Sequence, residues 1–136
     1  MKGEKGITGR GKVLVMDDEE IIRDMLSKML PLAGYEVELT SDGAEAIERY
    51  SKAIKARKPF SAVILDLTVP GGMGGKEAIK KLSKIDPEVK AIVSSGYATD
   101  PIMSEYRQYG FSAVVTKPYR VTEIEKTLRD ILKGKK

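Results

Sequence analysis

Short apolar runs alternate along the chain with stretches of helical periodicity. Val13-Leu14-Val15-Met16 is a continuous apolar run ending in Asp17-Asp18, the pattern of a strand buried on both faces that meets a polar edge. Ile21, Ile22, Met25, Leu26, Met29 and Leu30 then recur at helical spacing, with Pro31 and Gly34 expected to close that helix. Tyr35, Val37 and Leu39 alternate as in a half-exposed strand. Asp42 and Glu45 have capping-box spacing ahead of Ala46, Ile47 and Tyr50, and residues 52–59 read as a polar connection. Ala62-Val63-Ile64-Leu65 is the most hydrophobic β-type run and ends in Asp66, followed by a loop at Pro70-Gly71-Gly72. Ala78, Ile79 and Leu82 mark a third helix, and Ala91-Ile92-Val93 a fourth strand ending in Ser94-Ser95-Gly96. Asp100-Pro101 places an N-cap before a helix running to Gly110. Ala113-Val114-Val115 is the fifth strand, ending in Thr116-Lys117-Pro118, and Thr122 with Glu125 is expected to cap the last helix.

Five βα units with strands apolar on both sides predict a parallel sheet covered by helices on both faces. About 120 residues are too few for an eight-fold barrel. A flavodoxin-like doubly wound α/β fold is left, with strand order 2-1-3-4-5. In such sheets ligands sit at the carboxyl ends of the strands, at the switch between strands 1 and 3. Those strands end in Asp17-Asp18 and Asp66, joined by Ser95 from strand 4 and Lys117 from strand 5.

Composition narrows the chemistry. The 136 residues include no Cys, no His and no Trp, which excludes disulfides, thiolate or imidazole catalysis and Cys- or His-ligated metals. The net charge is +4, but three positive charges in excess precede residue 13 and three follow residue 132, leaving the body at −2. The basicity thus belongs to terminal segments rather than to a nucleic-acid-binding face, and nucleic acid is not an expected partner. No apolar run approaches a membrane span and the start is unlike a signal peptide, so a cytoplasmic location is expected. Residues 6–12, Gly-Ile-Thr-Gly-Arg-Gly-Lys, nearly match a phosphate loop. Val13 stands where a Ser or Thr should bind the metal, and the segment precedes a strand instead of following one. Clustered carboxylates repel at neutral pH, and a hard divalent cation such as Mg²⁺ would take their oxygens as ligands. An Asp beside such a cation can accept a phosphoryl group covalently.

Asp17-Asp18 after strand 1, Asp66 with Pro70 four residues on, Ser95-Gly96 and Lys117-Pro118 together resemble the receiver domains of two-component response regulators, over about residues 12 to 132. The resemblance implies Asp66 as phosphoacceptor, Asp17 and Asp18 as direct or water-mediated Mg²⁺ ligands, and the Thr68 backbone carbonyl as a further ligand. It implies Ser95 as the switch hydroxyl, Lys117 as the cation that pairs with the phosphoryl group, and a cis bond between Lys117 and Pro118. Thr68 and Tyr97 take positions that tune dephosphorylation. The implied donor is a phosphohistidine on a histidine kinase or phosphotransfer partner, and the implied output is a shift of the face formed by the fourth helix, fifth strand and fifth helix, with homodimerisation through that face common in the family.

Two departures stand out. The loop Pro70-Gly71-Gly72-Met73-Gly74-Gly75 is one residue longer than the usual form, as in receivers attached to hybrid histidine kinases. Three residues before Lys117, where the family often has an aromatic partner for the switch hydroxyl, the chain has Val114, so Tyr97 and Tyr119 become the candidates for that readout. The organisation expected is a linker over residues 1–11, a receiver over 12–132 and a basic tail over 133–136. Output would go through protein contact, or the chain is one domain of a larger kinase on the cytoplasmic side of the membrane. Two other readings compete: a Mg²⁺-dependent phosphohydrolase using Asp66, although Thr68 stands where such enzymes carry a second Asp, and a degenerate receiver serving only as a binding module. For single residues the plainer readings are an Asp-Asp helix cap, a Ser95 hydroxyl bonded to its own backbone, and a solvated Lys117.

Overall fold

The computed structural model describes residues 10–133. Most of the two expected tails therefore lies outside the described residues, but the first strand already begins at Gly11, inside the expected linker. Five parallel strands, β1 (Gly11–Met16), β2 (Tyr35–Thr40), β3 (Ala62–Asp66), β4 (Ala91–Ser95) and β5 (Ala113–Thr116), pair in the order β2-β1-β3-β4-β5. Five helices connect or follow them: α1 (Glu20–Leu32), α2 (Gly43–Lys55), α3 (Gly75–Ile85), α4 (Pro101–Ser104) and α5 (Val121–Lys133). The expected doubly wound order is the observed one.

The apolar strand runs are buried on both sides because successive side chains point to opposite faces. Val13, Val15, Ile64, Ile92 and Val115 pack against Leu26 and Leu30 of α1 and Ile124 and Leu128 of α5. Leu14, Met16, Val63, Leu65 and Val93 pack on the other face against Ala46 and Tyr50 of α2 and Ala78, Ile79 and Leu82 of α3. No helix among the described residues is long and apolar enough to cross a membrane.

Several local expectations need correction. Helix α2 continues through the supposed polar connection to Lys55, because Ala53 extends the buried stripe of Ala46 and Tyr50. Pro31 lies within the last turn of α1, and Gly34, at φ 99°, makes the exit. Helix α5 starts at Val121, one residue before the expected cap Thr122, with the Glu123 carboxylate accepting from the Arg120 N–H. At α2 the Asp42 carboxylate accepts from Glu45 N–H as expected, while Glu45 reaches back to Ser41 N–H.

The largest difference is the fourth helix. Instead of running to Gly110 it stops after four residues, breaks at Glu105, and resumes as a 3-10 turn over Tyr106–Tyr109. Side chains three apart eclipse in a 3-10 turn, which lets Tyr106 and Tyr109 both lean on the core beside Ile79 and Phe111. Leu65→Ala, at the centre of the sheet and fully buried, is expected to lower the unfolding free energy by about 2–5 kcal/mol in urea denaturation. Leu32→Ala, largely exposed, is expected to change it by no more than about 0.5 kcal/mol.

Candidate functional site

All five chemistry-bearing residues of the sequence pattern converge at the carboxyl edge of the sheet, because parallel strands end on the same side. Asp66 ends β3, Asp17 and Asp18 follow β1, Ser95 ends β4 and Lys117 follows β5. A cleft of about 550 Å³ opens there, lined by Asp18, Glu19, Ile22, Asp66, Thr68, Pro70, Ser95, Gly96, Tyr97, Lys117 and Pro118. The glycine-rich loop after β3 folds back against the Asp66 strand end, where Gly75 N–H donates to Leu67 O. A side chain at Gly74 would collide with that same Leu67 carbonyl.

Lys117 is the hub. Its Nζ lies 2.9 Å from Asp17 Oδ2, 3.4 Å from Asp66 Oδ1 and 3.6 Å from Glu19 Oε2. Burial works to lower the lysine pKa, but the hydrogen bond and charge of Asp17, with Asp66 and Glu19, outweigh it and raise it. The lysine is thus held charged, unlike the solvated surface lysine of the plainer reading. The Lys117–Pro118 peptide bond is cis, and Lys117 N–H donates to Ser95 O, tying β5's end to β4's.

One ammonium does not neutralise four carboxylates. Asp66 is 4% exposed, and burial, then the Asp17 charge, push its pKa up to about 7 against the downward pull of Lys117. Asp17, 2% exposed, has both oxygens engaged: Oδ1 accepts from Glu19 N–H and Oδ2 meets Lys117. Asp18 and Glu19 open to solvent, and ligand oxygens of Asp17, Asp18 and Glu19 lie within 4.8 Å of one another. This surplus of hard anionic oxygen fits a divalent cation of the magnesium type.

Ser95 Oγ accepts from Tyr97 N–H at 2.9 Å, the backbone-bonded geometry of the plainer reading, yet it still lines the cleft with its own proton unassigned to any partner. Thr68 is exposed at the rim, and Tyr97 is 70% exposed. Val114 packs on the core with Tyr106 and Tyr109, so no aromatic stands at that β5 position. Two members of the site escaped the sequence reading. Glu19 was visible as the third acid of the Asp17-Asp18-Glu19 run, whereas Arg23, whose guanidinium donates to Asp17 O at 2.8 Å, carries no sequence signal beyond its place one turn into α1.

Residues 13–129 match the response regulator receiver domain family. The chain belongs to that family. This receiver is 35% identical to the chemotaxis protein CheY of Thermotoga maritima across 90% of this chain and 98% of that one. It is 27% identical to the sporulation initiation phosphotransferase F of Bacillus subtilis across 89% and 93%. Among solved structures, CheY4 of Vibrio cholerae superposes with a TM-score of 0.75 at 33% identity, over 87% of this chain and 95% of that one. The receiver domain of the sensor histidine kinase PA1611 of Pseudomonas aeruginosa, solved with magnesium in its active-site cleft, shares the fold with a TM-score of 0.79 at 21% identity, over 91% and 98%. The chain is a receiver domain of two-component signalling.

The raised Asp66 pKa makes a signed prediction. Between about pH 4 and 7 the folded receiver holds a proton on Asp66 that the unfolded chain releases, so this group's contribution to stability falls as pH rises through that window and is flat above it. Asp66→Asn is therefore expected to be more stable than the parent at pH 8 by roughly 1–3 kcal/mol in urea titrations without divalent cations. The gap should close as pH falls toward 4.

Proposed function

We propose that Asp66 accepts a phosphoryl group from a phosphohistidine on a histidine kinase or histidine phosphotransfer partner. The observation that carries this reading is the placement of Asp66 in an acidic cleft with the Lys117 ammonium 3.4 Å from its carboxylate. The chain contains no histidine, so the donor comes from another molecule or domain. In the transfer an Asp66 oxygen bonds to phosphorus as the histidine N–P bond breaks, and the imidazole leaves with the bonding pair.

Mg²⁺, when bound, supplies charge neutralisation for the phosphoryl oxygens. Asp18 and Asp66, which line the cleft, would hold it together with the Thr68 carbonyl. Asp17, buried and paired with Lys117, would hold it directly or through water. Lys117 then shifts its pairing from Asp17 toward the new dianion. Ser95 donates its hydroxyl proton to a phosphoryl oxygen while its Oγ keeps the Tyr97 N–H. Thr68 and Tyr97, both exposed and both lining the cleft, set how freely water reaches the acyl phosphate. With Val114 in place of an aromatic, the signal is read by the segment from α4 through the 3-10 turn to β5 without an aromatic swing at that position, and homodimerisation or partner docking uses the face of α4, β5 and α5.

Incubation with Mg²⁺ and acetyl phosphate is expected to add one phosphoryl mass to the intact protein. Asp66→Asn or EDTA should abolish the adduct. Steady release of phosphate from small esters without a trapped adduct would favour a hydrolase, and absence of any adduct a binding module. Lys117→Ala is expected to cut the labelling rate at least tenfold, since one cation neutralising a transferring phosphoryl group is worth that much or more, as read by the same mass assay over time.

A further inference from the structure

Helix α1 carries more apolar surface than the sheet covers. Leu26 and Leu30 are buried on the core, with Ile22 and Met25 partly buried beside them. Ile21 and Leu32 are 76% and 79% exposed, the two most exposed large apolar side chains among the described residues. Helical geometry sets them within about 20° of each other around the axis, about three turns apart along α1. Between them the same outer side holds Asp24 and Lys28, both exposed and paired at 3.4 Å. A stripe with an apolar residue at each end and one charge of each sign in the middle is complementary to itself when turned end for end. In an antiparallel pair of such helices Ile21 of each copy meets Leu32 of the other, and Asp24 of each meets Lys28 of the other. Both matches occur in one register, because the midpoints of the two residue pairs fall within one residue of each other.

We propose that α1 is a self-association surface, on which a second copy of this chain lays its own α1 antiparallel about a two-fold axis passing between Met25 and Lys28. The order of charges along the stripe favours a second copy over another partner, since a two-fold-related copy brings the matching order without any further requirement. It also fixes the direction: a parallel pair in register would set Asp24 on Asp24 and Lys28 on Lys28, and like charges repel. The stripe lies on the β2 side of the sheet, where Val37 and Leu39 share the cluster of α1, while β5 is the strand at the opposite end. This surface is therefore distinct from the face of α4, β5 and α5. One helix of 13 residues from each copy makes a small contact, so the association is weak and reversible.

The chain has no cysteine, so introduced thiols report on the contact without background. Ile21→Cys and Leu32→Cys are prepared separately in the full chain and oxidised in a glutathione buffer, alone and as an equal mixture. Both positions are exposed, and the fold is expected to be unchanged. The mixture should form intermolecular disulfides roughly tenfold faster than either variant alone, because antiparallel pairing brings residue 21 of one copy to residue 32 of the other. Sedimentation equilibrium of the parent should show a reversible monomer–dimer equilibrium. Asp24→Lys alone and Lys28→Asp alone should each weaken it roughly tenfold, and the two together should restore it. A mixture that cross-links no faster than the single variants overturns the proposal, as does faster cross-linking of Leu32→Cys with itself. So does a dimer indifferent to both charge reversals, which would place the contact on another face. A parent that stays monomeric up to about 1 mM, weaker than the affinity range of specific association, overturns it as well and leaves the stripe to a different partner.

Discussion

Four carboxylates share one end of a parallel sheet with a single ammonium, and this imbalance governs the site. At separations near 4 Å, like charges cost about 4 kcal/mol per pair at the effective dielectric of a protein surface, and more as water is excluded. Lys117 relieves part of this by lying among Asp17, Asp66 and Glu19. Burial and then the remaining repulsion, chiefly from Asp17, push the Asp66 pKa up to about 7. A site in that condition favours any added positive charge, which by opposing the neighbouring carboxylates lowers the pKa of Asp66.

The fold exists in this account to impose that crowding. Strands apolar on both faces are stable only between two layers of helices, and a sheet covered on both sides exposes polar groups at its edges and ends. The parallel direction brings the polar ends of β1, β3, β4 and β5 to one rim. The core clusters on the two faces hold the rim rigid, so the carboxylates cannot separate to lower their repulsion.

The architecture and the five residues of the rim were legible because both depend on period-two burial and strand ends, which local sequence records directly. Asp17 and Asp66 are the first polar residues after an apolar run, and Asp18, Ser95 and Lys117 each stand one residue further on. What escaped depended on long-range geometry. Arg23 reaches back to Asp17 O from one turn along α1, and nothing in its neighbours announces that contact. The break at Glu105 between α4 and the 3-10 turn leaves no mark in the periodicity, since Tyr106 and Tyr109, three apart, would share a face in either kind of helix. The meeting of the buried Ser94 and Tyr119 hydroxyls is likewise invisible locally: one reads as a strand residue and the other as a core aromatic.

Burial, and then the crowding of carboxylates at the strand ends, raise the Asp66 pKa toward neutrality. The most direct measurement is the titration of the Asp66 side-chain carboxyl by ¹³C NMR, with and without Mg²⁺. The account predicts a midpoint near 7 in the metal-free protein that moves to lower pH when Mg²⁺ is added. A midpoint in the ordinary aspartate range near 4, unchanged by Mg²⁺, would contradict it.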